Sequence, residues 1–141
     1  MKLKRFDPKR DYPLATKRPG LVKTPSGLNF SKITLEKVAS GEIDPKEIRI
    51  SSDTLELQAQ VAGVHGRSQL AANFRRAAEL TRIPDEEVLR IYNALRPQHG
   101  TKEDLLKIAK HLEKRYKAKI NAAFIREAVK VYEKRGLLKE E

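Results

Sequence analysis

Leu70, Phe74, Ala77 and Ala78 recur at spacings of three and four, which sets them along one stripe of a helix and leaves Arg75, Arg76 and Glu79 to point elsewhere. After Thr81-Arg82-Ile83 comes Pro84, whose fixed φ and missing amide donor suit a first helical position. Asp85, Glu86 and Glu87 then place negative charge at the positive end of a new helix dipole. That second helix carries Val88, Ile91, Tyr92 and Leu95 on its apolar face, and Pro97 stops it near Arg96. A chain that repeats this pattern has little choice but to fold as packed helices.

The same periodicity extends in both directions. A short helix is expected over 34–40, with Leu35 and Val38 inward and Gly41 as its left-handed exit, and a brief turn follows at Asp44-Pro45-Lys46-Glu47. Ser51 and Ser52 are cap candidates for a helix carrying Leu55, Leu57, Ala59 and Val61, loosened by Gly63 and Gly66. Thr101 with Asp104 resembles a capping box ahead of Leu105, Ile108, Ala109, Leu112 and Tyr116. A last helix over 121–135 carries Phe124, Ile125, Ala128, Val129 and Tyr132 inward and leaves through Gly136. Ile48-Arg49-Ile50 alternates but is too short for a sheet. The fold class is therefore all-α.

The first 33 residues differ. Pro8, Pro13, Pro19, Gly20, Pro25 and Gly27 interrupt them, and no helical or strand period is sustained. The expected organisation is an extended N-terminal arm over 1–33 and a small helical domain over 34–141. Tyr12, Leu14, Leu21, Val22, Leu28 and Phe30 would still gain by burial, on a partner or on the helical core. Tyr12 has no helix around it and is the aromatic best suited to anchor an intermolecular contact. The expected subunit interface is the patch Tyr12, Pro13, Leu14 and Ala15.

Composition narrows function further. The chain of 141 residues carries 30 Lys or Arg against 19 Asp or Glu, a net charge of +11. Residues 1–24 hold eight of those cations against two Asp, whereas both signs mix through the helical remainder, the pattern of a solvated face rather than a basic stripe. A basic nucleic-acid-binding module, with Arg75, Arg76, Arg82 and the N-terminal Lys and Arg on phosphates, is the competing class. The longest apolar run, Ala122 to Ile125, cannot span a bilayer, and the first residues have no signal-peptide core. Cysteine is absent, which removes disulfides and thiolate metal sites.

Nothing in the sequence forms a reaction centre. His65, His99 and His111 lack ligand spacing, no serine sits in Gly-x-Ser-x-Gly, and Gly63-Val64-His65-Gly66 is no phosphate loop. No catalytic, cofactor-binding or metal-binding residue is expected on this chain.

Asp11-Tyr12-Pro13-Leu14-Ala15-Thr16, Thr24-Pro25-Ser26-Gly27, Ile33-Thr34-Leu35-Glu36, Arg49-Ile50-Ser51, Thr54 to Gln60, Asn73 to Leu80, Ile91 to Pro97 and Asn121 to Glu127 follow one another in an order that resembles a known family. It is the small, or gamma, subunit of adenosylcobalamin-dependent diol and glycerol dehydratases, and the likeness runs over about residues 11 to 138. The resemblance implies a heterohexamer with two copies each of a large, a medium and a small subunit. In it the large subunit holds the diol and a metal ion, and adenosylcobalamin sits between the large and medium subunits. The small subunit packs chiefly on the large one and supplies no catalytic residue. Only ten residues precede Asp11, whereas some relatives carry a longer extension linked to packaging in a bacterial microcompartment. A cytoplasmic location without nucleic acid or membrane partners is therefore expected, with microcompartment packaging disfavoured. Preference between glycerol and propane-1,2-diol is not legible, because the family's substrate contacts come from the large subunit.

Overall fold

Capping serines and threonines, a left-handed glycine and runs of three-and-four spacing build a molecule of helices. A computed structural model describes residues 5–140 and holds, among them, seven α-helices and no strand. Lys2 and Lys4, counted with the N-terminal cations, lie outside the described residues. The chain divides into two units, Met1–Ala78 and Glu79–Glu141, so the expected arm and the residues up to 78 share the first.

In the first unit the proline-interrupted segment is a succession of tight turns rather than an extended run. Helix α1 (Leu14–Lys17) follows a cis Tyr12–Pro13 peptide. The Asp11 carboxylate accepts from the Arg18 guanidinium at 2.6 Å and from the Asp7 amide at 2.9 Å, closing the loop around this helix. Single 3-10 turns follow at Pro19–Leu21 and Phe30–Lys32. Between them Thr24 closes a turn through its backbone and its hydroxyl, with Gly27 at φ 90° as only glycine adopts freely. Ser26 donates to Glu47 at 2.7 Å, tying this turn to a 3-10 turn at Pro45–Ile48.

Helix α2 (Leu35–Ala39) is capped by the Thr34 hydroxyl. The expected inward Leu35 instead stands 84% exposed: it opens a helix of barely more than one turn, which has no second turn to press it against a neighbour. Helix α3 (Ser52–Val64) begins at Ser51, whose hydroxyl accepts from the Thr54 amide as expected of a cap. Gly66 at φ 74° turns the chain into α4 (Ser68–Leu80). Ala59 and Ala62 of α3 pack with Ala71 of α4, and Phe74 lies against them. Leu70, expected in the same stripe, is partly exposed.

The second unit is built on α5 (Asp85–Ala94), α6 (Lys102–Tyr116) and α7 (Lys119–Arg135). Pro84 is the N-cap of α5, extended at ψ 141°, rather than its first helical residue, and the helix ends at Ala94, short of the expected Arg96. Lys117, left-handed at φ 56°, and Ala118 join α6 to α7. Lys102 meets Glu133 at 2.6 Å and Glu113 meets Arg126 at 2.5 Å, a pairing that requires the two helices to run antiparallel. Leu105, Ile108, Ala109 and Leu112 face Ala122, Ile125 and Val129 in the core, with Ile83 and Ile91 added.

Two expected core aromatics are not core. Tyr92 is 66% exposed because α5 buries Ile91, one residue and about 100° around the helix away. Phe124 is likewise displaced outward by the buried Ile125. Tyr132 behaves as expected, half-buried with its hydroxyl donating to the Leu95 carbonyl at 2.6 Å.

Thr101 caps α6 without the reciprocal half of a capping box: its hydroxyl accepts from the Asp104 amide at 3.1 Å and donates to the Asp104 carboxylate at 2.9 Å. Helix α7 has no side-chain cap of its own at Ala118. Glu79, which periodicity put on an outward face, is buried at 8% exposure. It accepts from the Ile120 amide at 3.0 Å and from the Asn121 amide and side chain at 2.8 Å each. A carboxylate 42 residues upstream thus satisfies the orphan donors at the start of α7.

Candidate subunit interface

The patch Tyr12, Pro13, Leu14 and Ala15 is divided by the fold. Leu14 is 2% exposed and belongs to the chain's own interior, whereas Pro13 and Ala15 lie on the surface and Tyr12 remains 49% exposed. Tyr12 stands at the mouth of an open groove of about 370 Å³ that Val61 of α3 and Leu70 and Phe74 of α4 also line. Sequence periodicity missed this groove. It depends on a tyrosine outside any helix meeting two helices more than 40 residues further along.

Further apolar side chains face outward: Phe30, Ile48 and Ile50 in the first unit, Leu89, Tyr92 and Leu106 in the second. On α5 Leu89 and Tyr92 are three apart and share one face.

The histidines separate from one another. His65 lines the Tyr12 groove, and His99 Nδ1 lies 2.8 Å from the Pro97 carbonyl. His111 Nε2 lies 2.8 Å from Glu87 Oε1, while the Tyr116 hydroxyl donates to Glu87 Oε2 at 2.5 Å, so this carboxylate binds α5 to α6. Tyr116's hydrogen bond, helped by the nearby His111 and Arg90, holds the Glu87 carboxyl below its ordinary range against the opposing effect of burial. The same hydrogen bond, with burial, raises the Tyr116 phenol. Among the described residues no group of three His, Cys, Asp or Glu is placed to hold a metal ion. No helix among them is long and apolar enough to cross a membrane.

Of the arginines weighed for phosphate contact, Arg75 is engaged within the chain, donating through Nε at 3.2 Å and Nη2 at 3.3 Å to the Glu56 carboxylate. Arg76 donates to the Asn73 side chain. Arg82 is exposed in the turn before α5.

Helices and ordered N-terminal turns make this an all-α chain, with apolar side chains left outward on both units. Residues 8–139 match the family of the dehydratase small subunit, and the chain belongs to that family. It is 54% identical over 129 residues to the propanediol dehydratase small subunit of Salmonella typhimurium (strain LT2), covering 92% of this chain and 75% of that one. To the propanediol dehydratase small subunit of Citrobacter freundii it is 52% identical over the same shares. A small subunit implies partner subunits.

Proposed function

We propose that this chain is the small subunit of a propanediol dehydratase and acts by assembling with large and medium subunits, two copies of each, in a heterohexamer. The observation that carries this reading is identity above one half to two propanediol dehydratase small subunits across 92% of the chain. The reaction removes water from propane-1,2-diol to give propionaldehyde; glycerol would give 3-hydroxypropionaldehyde by the same loss. Adenosylcobalamin, bound by the other subunits, supplies the radical chemistry, in keeping with the division by which cofactors carry such steps and protein supplies orientation. This chain's contribution is surface: Tyr12, Pro13 and Ala15 outward, with Leu14 anchoring them from beneath.

Reconstitution tests the reading. Large and medium subunits with adenosylcobalamin are assayed for propionaldehyde with and without this chain, and the chain is assayed alone. Activity is expected only from the complete set, with the chain alone inactive. Turnover by the isolated chain, or full activity and native assembly without it, would refute the assignment. A complex that survives several hundred millimolar salt further separates an apolar protein interface from phosphate-dominated nucleic-acid binding, which weakens steeply with ionic strength.

A further inference from the structure

We propose that the groove between α3 and α4 receives an apolar side chain with a carboxylate beside it, contributed by another subunit of the dehydratase; this rests on the assembly role proposed above. Ala62 lines the groove and packs with Ala59 and Ala71, whose small side chains let the two helices approach closely. Tyr12, Val61, Leu70 and Phe74 line its sides with the amide of Gln58 among them, and its volume, about 370 Å³, is in the range of binding pockets although it stays open to solvent. Tyr12 and Leu70 keep substantial surface exposed toward it, so an apolar occupant would remove from water surface that the chain itself leaves wet.

Charge selects the occupant's second feature. His65 and Arg67 stand on the rim in the turn between the helices, and no carboxylate lines the groove. The amide of Arg67 is used, donating to the Ala62 carbonyl at 2.9 Å, which fixes where its side chain starts. The guanidinium makes no ion pair with a described residue. A neighbouring Asp or Glu on the occupant gains a charge-assisted, bidentate partner there, and a Lys or Arg would meet like charge. Tyr and Arg flanking an apolar recess are also the residue types that carry most binding energy at protein interfaces.

The test uses the full chain in the reconstituted dehydratase. A photo-crosslinking amino acid at position 70 should join to another dehydratase subunit, at a peptide with Asp or Glu beside an apolar residue. Arg67→Glu and Leu70→Ser should each raise the Kd for the remaining subunits by about tenfold or more, and Arg67→Lys, which keeps the charge but not the bidentate fork, should raise it by less than Arg67→Glu. Circular dichroism of the free variants guards against misfolding, and Arg67→Glu, exposed in a turn, decides the matter if Leu70→Ser proves unstable. Crosslinking to a second copy of this chain, no crosslink, or an unchanged Kd for Arg67→Glu overturns the groove while leaving the assembly role intact. Failure of the wild-type chain to bind any dehydratase subunit overturns both.

Discussion

Replacing Glu79 by alanine should cost more than any other single charge removal in the second unit. The carboxylate accepts three hydrogen bonds, two from backbone amides and one from the Asn121 side chain, and it is itself buried. Hydrogen bonds to a charged group contribute about 1.5–3 kcal/mol each. Ile120 is exposed enough for water to replace the carboxylate at its amide, whereas Asn121 is buried and would lose the carboxylate that its amide and its side chain both donate to. Discounting the first bond and allowing for non-additivity gives a loss of about 3–5 kcal/mol, a large part of the roughly 5–15 kcal/mol that holds a domain together. Glu79→Gln keeps one carbonyl acceptor but turns an amide toward the same donors, so about half that loss is expected. Urea unfolding followed by circular dichroism at the helix band measures both, and Glu79→Ala should lower Tm by on the order of 10 °C. A Glu79→Ala variant within about 0.5 kcal/mol of wild type, the range of ordinary surface changes, would refute the reasoning.

Gly100→Ala should destabilise by about 1–3 kcal/mol, since the new methyl would lie 2.5 Å from the Ala94 carbonyl oxygen and 3.1 Å from Leu105; calorimetry reads it, and an unchanged Tm would contradict it. Glu87 has a carboxyl held below its ordinary range, so its contribution to stability is present above the unfolded-state pKa and is lost as pH falls through the lower folded-state value. Glu87→Gln should therefore flatten the acid limb of the stability profile, and a limb of unaltered slope would be inconsistent with this. Leu14→Asp should destabilise the free chain by burying a charge, whereas Tyr12→Ala should leave its helical signal intact and weaken assembly. Equal effects of both substitutions on the free chain's unfolding midpoint would show that Tyr12 belongs to the interior too.

What local chemistry dictates was legible: Ser51 and Thr101 cap the helices they were read to cap, and Gly136 exits α7 left-handed at φ 64°. Periodicity was less decisive where two neighbouring stripes are both apolar. Ile91 and Tyr92, and Ile125 with Phe124, offer adjacent faces, and only packing decides which one goes inside. Glu79 was beyond reach for another reason. Its charge pointed to solvent by every local rule, and its partners begin 41 residues later. Of the expected interface, Tyr12 was found at a groove that no local signal announced, because its lining comes from Tyr12 and from side chains of α3 and α4 far along the chain.

Residues 137–139 carry a consequence for anyone handling this protein. The Leu137 carbonyl accepts from the Gln98 amide at 2.9 Å, the Lys139 amide donates to the Gly100 carbonyl at 3.0 Å, and Leu138 lies on the core. What reads as a short tail beyond α7 is therefore a strap buckled over the loop ahead of α6. Proteolytic trimming back to Gly136 would unfasten that loop where Gly100 sits against Leu105, and the damage would register in the middle of the unit rather than at its edge.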